Sequence, residues 1–199
     1  MGFKYNKVLI LGATSGIGEA VGAKMVDNGV KVIVTGRRKE NLDKFVESHG
    51  KDKAEAIQFD ITNLEGIPKF AADVMKSHPD IDSIWLNSGI QRPFDFSKPE
   101  TVDLKTLDTE TLTNYTSYMH LTHAFIPYLQ KQNKETSLIY TTSGLGLVPM
   151  MRAPNYCASK AALHVSPSKA SKNGEYELTD FCSTSYSFCV SSSRAVLAM

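Results

Sequence analysis

Apolar and polar positions follow two alternating rhythms along residues 1–164. Short, mostly apolar runs at Val8–Leu11, Lys31–Thr35, Ala56–Phe59, Ser83–Asn87 and Ser137–Thr142 have the length and β-branched content of buried strands. Longer stretches with helical spacing separate them. Gly16–Asn28 carries Ile17, Ala20, Val21 and Met25 and stops at Gly29, and Lys39–Ser48 places Leu42, Phe45 and Val46 on one face. Ile67–Ser77 tolerates Pro68 in its first turn, Leu107–Gln130 reads as one long helix, and Pro154–His164 is a last helix before Pro167. Strands joined through helical crossovers pair in parallel with right-handed connections, so the pattern predicts an α/β fold with a doubly wound parallel sheet, Rossmann-like. Ligands bind such sheets at the carboxyl ends of the strands, which directs attention to the residues just after Leu11, Thr35, Phe59, Asn87 and Thr142.

The rhythm breaks at Val165. Residues 165–199 hold 9 serines, against 10 in residues 1–164, and their apolar residues keep no period, so they read as an atypical coil tail outside the domain of residues 1–164. The whole chain of 199 residues carries 22 Lys and Arg against 21 Asp and Glu, which suits one globular domain and leaves no broad basic footprint for nucleic acid. No stretch approaches the roughly 20 apolar residues of a membrane span, and Val8–Ala13 is too short for a secretory core, so a cytoplasmic chain without a membrane partner is expected. Cys157, Cys182 and Cys189 form no CxxC pair and indicate neither a disulfide framework nor a metal site.

Between the first strand and helix, Gly12-Ala13-Thr14-Ser15-Gly16-Ile17-Gly18 has the spacing that lets backbone approach a pyrophosphate and aims helix N–H groups at its charge. The bland alternative is a tight turn without ligand. A phosphate loop of the NTPase kind needs Lys followed by Ser or Thr after the last glycine, where Glu19 and Ala20 stand. After the second strand, Thr35-Gly36-Arg37-Arg38 lacks the carboxylate that would meet an adenosine ribose and offers two guanidiniums for a 2′-phosphate, or simply a solvated basic helix start. Tyr156 and Lys160 share a helix face, where an ammonium favours phenolate and lowers the phenol pKa toward the range of acid–base work. With 8 Tyr and 17 Lys in the chain one such pair arises by chance; its place after Ser143 and the fifth strand is what counts. Asp60 either meets an adenine or caps a turn. His120 and His123 lack a third ligand and read as packing or surface residues, and Cys157 has no activating base nearby.

In combination these residues resemble the classical short-chain dehydrogenase/reductase family over about residues 5–164. The glycine loop matches the family's Thr-Gly-x3-Gly-Ile-Gly with Leu11 for the leading Thr, and Asp60-Ile61 resembles its adenine-contacting segment. Leu86-Asn87-Ser88-Gly89 resembles Asn-Asn-Ala-Gly, while Asn114, Ser143, Tyr156 and Lys160 fall in the order of the catalytic tetrad. The resemblance implies that Tyr156 exchanges a proton with the substrate oxygen, Ser143 hydrogen-bonds that oxygen, Lys160 binds the nicotinamide ribose and lowers the Tyr156 pKa, and Asn114 holds a water of the proton path. It implies NADP(H) rather than NAD(H), a carbonyl or alcohol as substrate, and pairing into homo-oligomers; the apolar run Gly144–Met151 points to a small, apolar substrate, and no residue set indicates a metal. Gly144–Met151 and Gln91–Phe94 are expected to line the substrate pocket.

Family members continue past the catalytic helix into two more strands, a Pro-Gly segment and a mobile lid, none of which is recognisable after His164. Val165-Ser166 can be encoded as GTNAGY, the form of a splice-donor site, so residues 165–199 are read as translated intron or a frameshift. The alternative to an active oxidoreductase is therefore a truncated, inactive fragment that at most binds nucleotide or a partner.

Overall fold

The structure, a computed structural model, describes residues 4–165. They form two compact units, one of residues 4–88 and 120–139, the other of residues 89–119 and 140–165. The serine-rich tail, with Cys182 and Cys189, lies outside the described residues, except that Val165 ends a helix.

The first unit carries a five-stranded sheet in the order β3-β2-β1-β4-β5. Its strands are β1 (Lys7–Leu11), β2 (Lys31–Gly36), β3 (Ala54–Gln58), β4 (Ser83–Leu86) and β5 (Ser137–Tyr140). The β1–β2, β2–β3 and β1–β4 pairings are all parallel, as the crossovers demand. Val8–Leu11, Val32–Thr35 and all of β4 are buried, because a parallel sheet is covered on both faces and needs unbroken apolar runs. The helices α1 (Gly16–Asp27), α2 (Lys39–His49) and α3 (Ile67–Ser77) begin where the apolar period predicts. β3 begins two residues before the predicted Ala56. It is an edge strand, partly exposed, so it has no continuous apolar run to mark it; Phe59 follows it and stacks on Phe70 at 4.0 Å.

The strand order reverses at β1, since β2 and β3 lie to one side and β4 to the other. A crevice outside the carboxyl ends of β1 and β4 is the switch point of such a sheet.

The predicted helix over Leu107–Gln130 is corrected by the structure. α4 (Leu104–Thr111) starts three residues earlier because Asp103 caps it, its carboxylate accepting the Lys105 N–H at 3.1 Å. A π-helical stretch, Leu112–Thr116, then interrupts the α-helical path before α5 (Ser117–Gln130). Such stretches recur at functional sites, and Asn114 sits inside this one. The last helix, α6 (Pro154–Val165), follows a short 3-10 turn at Gly144–Gly146. Among the described residues no helix is long and apolar enough to cross a membrane, and no cluster of His, Cys, Asp or Glu could hold a metal ion.

Candidate active site

In the first unit the glycine loop closes the switch point. Asn87 donates its side-chain N–H to the Gly12 carbonyl at 2.8 Å, and its main-chain N–H reaches the Leu11 carbonyl at 2.9 Å, so the ends of β1 and β4 are tied together. Gly12 has φ +92°, and a Cβ there would stand 2.6 Å from the Ser88 Cα, so both conformation and the close approach of Ser88 require glycine. Gly16 differs. Its φ is +63°, yet a Cβ there would meet nothing within 4 Å, so its bareness leaves open space at the start of α1. Ser15, in extended conformation, precedes α1 but makes no side-chain cap, which leaves the first-turn N–H groups of the helix available. Ile17 is exposed and Gly18 buried at this start. Open space over an uncapped helix N-terminus fits a diphosphate.

Arg38 is held against this loop. Its guanidinium donates to the Thr14 hydroxyl at 2.7 Å and the Ser15 hydroxyl at 2.6 Å, while Arg37 is exposed and its carbonyl accepts from Gln58 at 2.8 Å. The two arginines are therefore unequal, a difference their sequence does not announce. Asp60 accepts the main-chain N–H and hydroxyl of Thr62 at 3.0 and 2.8 Å, the bonds of a capped turn, and Ile61 beside it is buried.

In the second unit the four tetrad positions come together. Asn114 is fully buried, and its amide spans both backbone groups of Ile90: the side-chain oxygen accepts the Ile90 N–H at 2.9 Å and the side-chain nitrogen donates to the Ile90 carbonyl at 2.8 Å. The same nitrogen reaches the Ser159 hydroxyl at 3.2 Å, which in turn donates to the Tyr156 carbonyl at 2.7 Å. The Asn114 side-chain amide is thus occupied with the protein's own backbone.

The Ser143 side chain lies close enough to the Tyr156 hydroxyl to favour its ionised form. Ser143 Oγ accepts the Leu145 N–H at 3.2 Å, which fixes it at the start of the 3-10 turn. Lys160 is 2% exposed; its Nζ donates to the Thr141 carbonyl at 2.7 Å and lies 5.8 Å from the centre of the Tyr156 ring and 5.6 Å from that of Tyr118. A Cβ on Gly89 would stand 3.5 Å from Asn114 Oδ1 and 3.7 Å from Lys160 Nζ, ordinary contacts, so packing alone does not demand glycine there.

The Tyr156 phenol stands above its ordinary value. Burial pushes the half-buried phenol up, Ser143 pulls it back, and Cys157 and Glu110 add to the rise. Burial likewise pushes Lys160 down to about 8.

Cys157 is buried against Met150, whose N–H meets its sulfur at 3.2 Å, and His120 and His123 are exposed, in line with the packing and surface roles expected. In the apolar run after Ser143, Leu147, Val148, Met150 and Met151 are all exposed, whereas Phe94, expected opposite them, is buried at 6% exposure. Sequence reasoning missed Glu110, fully buried in α4, which binds the Arg92 N–H at 2.7 Å and the Asn155 side chain at 2.8 Å. Its only sequence signal is the spacing of four residues that puts it on the helix face of Asn114.

The family model for short chain dehydrogenase matches residues 6–175, and the chain belongs to that family. It is 34% identical over 162 residues to the uncharacterized oxidoreductase DltE of Bacillus subtilis, covering 80% of this chain and 62% of the relative. It is 32% identical over 156 residues to the NADP-dependent 3-hydroxy acid dehydrogenase YdfG of Salmonella typhi, covering 77% and 60%. The closed form of serine dehydrogenase complexed with NADP+ superposes with a TM-score of 0.72 at 28% identity, covering 79% of this chain and 62% of that one. The chain thus spans about three fifths of the length of these relatives.

Proposed function

We propose that this chain is an NADP(H)-dependent oxidoreductase that interconverts a carbonyl and an alcohol on a small substrate of apolar character. The nicotinamide cofactor, when bound, supplies or accepts the hydride. Gly12, Thr14, Ser15, Gly16, Ile17 and Gly18 would hold its diphosphate, with Asn87, Ser88 and Gly89 following β4 and Asp60 and Ile61 on its adenine side. Arg37 and Arg38 take a 2′-phosphate, Arg37 as an exposed guanidinium and Arg38 as one already anchored on Thr14 and Ser15.

The chain's own groups carry the proton. The Tyr156 hydroxyl gives a proton to the substrate oxygen in reduction and takes it back in oxidation, and the raised phenol pKa keeps that proton in place at neutral pH. The Ser143 hydroxyl, fixed by the Leu145 N–H, donates to the same oxygen as negative charge develops there. The Lys160 ammonium holds the cofactor ribose and steadies the phenolate once the proton has left. Asn114 holds the Ile90 backbone and, through Ser159, the turn of α6 that bears Tyr156.

The observation that carries this reading is the buried Lys160 ammonium 5.8 Å from the centre of the Tyr156 ring, with Ser143, 13 residues before Tyr156, near enough to act on its hydroxyl. The NADP dependence of one relative and the NADP+ complexed with one structural neighbour support the cofactor assignment. Thermal unfolding of the chain with NADPH and with NADH tests it. A cofactor at 100 times its dissociation constant adds about 2.7 kcal/mol to a binding-competent fold, so the reading expects a clear shift with NADPH and a smaller one with NADH. Equal shifts, or none, count against it.

A further inference from the structure

Glu110 is a carboxylate at 0% exposure, and no lysine, arginine or histidine pairs with it among the described residues. Its partners are neutral donors. Oε1 accepts the main-chain N–H of Arg92 at 2.7 Å, and Oε2 accepts the Asn155 side-chain N–H at 2.8 Å. The Arg92 guanidinium is exposed and donates instead to the Gln91 carbonyl.

Asn155 is held from three sides. Besides Glu110, its nitrogen donates to the Leu107 carbonyl at 3.2 Å and its oxygen accepts the Thr111 hydroxyl at 3.1 Å. It is the residue before Tyr156, in the first turn of α6. A carboxylate buried without a cation is costly, and packing alone is served at lower cost by an apolar side chain. What a carboxylate offers here is two acceptor oxygens that face two separate segments.

We propose that Glu110 is a positioning residue for Tyr156: by bridging the Arg92 backbone and the Asn155 side chain it fixes the turn of α6 that sets the Tyr156 hydroxyl against Ser143. This rests on the catalytic reading of Tyr156 above. The charged and titratable groups around Tyr156 are Glu110 from α4, Tyr118 from α5, and Cys157 and Lys160 from its own helix. Glu110 therefore also acts on Tyr156 through its charge, which favours the protonated phenol.

Titration of Tyr156 in the full chain, followed by NMR of tyrosine labelled with carbon-13 at Cζ, tests this without requiring turnover; Tyr156→Phe assigns the resonance. Glu110→Gln removes the charge and keeps an acceptor for Arg92, with an Asn155 amide flip restoring the second bond at the cost of the one to the Leu107 carbonyl. Its Tyr156 midpoint is expected to fall by roughly half a pH unit, the effect of one nearby charge in a partly screened site. Glu110→Asp keeps the charge but is too short to bridge both partners. It should let Tyr156 move away from Ser143, raise the midpoint and move the Tyr156 resonance, which also serves if the Gln variant does not fold. A Glu110 that only packs would change stability and leave both midpoints at the wild-type value, and that result overturns the proposal. Absence of ketone turnover would overturn the catalytic reading instead, and the titration would still decide the role of Glu110.

Discussion

Lys160 Nζ donates a 2.7 Å hydrogen bond to the Thr141 carbonyl at a position that is 2% exposed. The carbonyl dipole offsets only part of the cost of burying an ammonium, which is why the Lys160 pKa falls to about 8.

That position makes stability depend on pH. The unfolded chain keeps the ordinary lysine value of about 10.5, so between about 8 and 10.5 it binds more protons than the folded chain, and stability rises with pH across that window. Below pH 8 the folded state carries the full penalty, on the order of 3 kcal/mol. Lys160→Met should therefore raise Tm at pH 7 despite losing the bond to Thr141, and its advantage over wild type should shrink toward pH 10. A variant equal to or below wild type at pH 7, with a difference that ignores pH, contradicts this.

Two glycines of the same loop should fail in different ways. Gly12→Ala must accept φ +92° and a methyl 2.6 Å from Ser88 backbone, and should lose about 2–4 kcal/mol of stability. Gly16→Ala, at φ +63° with open space, should lose only about 1–2 kcal/mol but bind NADPH at least about tenfold more weakly, because its methyl occupies the space assigned to the diphosphate. Circular dichroism melts together with isothermal titration calorimetry separate the two effects. Unaltered NADPH affinity in Gly16→Ala would move the diphosphate elsewhere.

Arg37 and Arg38 should separate affinity from loop order. Arg37→Ala removes an exposed guanidinium and should weaken NADPH binding by about ten- to a hundredfold, the worth of one charge-assisted hydrogen bond, with NADH affinity unchanged. Arg38→Ala also frees Thr14 and Ser15 and should weaken both cofactors. Equal losses of NADPH and NADH affinity in Arg37→Ala would reject its assignment to the 2′-phosphate.

Asn114→Ala strips partners from the Ile90 N–H and carbonyl at once. Each unpaired group costs about 1–3 kcal/mol where it is shielded from water, so a loss of about 2–4 kcal/mol is expected in chemical denaturation. A loss below about 1 kcal/mol would mean that water replaces the amide there.

The parallel sheet was legible because buried parallel strands need unbroken apolar runs, and Val8–Leu11 and Lys31–Thr35 supply them. β3 was misplaced by two residues where that pressure lapses at the sheet edge. The π stretch at Leu112–Thr116 stayed hidden because one extra residue per turn hardly disturbs an apolar period. The ordered glycines, Ser143, Tyr156 and Lys160 marked the candidate site. The clamp of Glu110 on Arg92 and Asn155 did not show, since it uses a backbone N–H and joins residues 18 and 45 positions apart. Nor did the sequence show which influence wins at Tyr156: spacing brought the ammonium near, but burial, a property of the whole packing, sets the direction of the shift.

NADPH oxidation driven by a simple ketone, measured for wild type and for Tyr156→Phe, tests the central claim most directly. The account predicts turnover by the wild-type chain and a loss of about 10²–10⁴-fold in Tyr156→Phe, with NADPH binding kept, since only the proton donor is removed. Turnover that survives in Tyr156→Phe, or a wild-type chain that binds NADPH and reduces nothing, would contradict it.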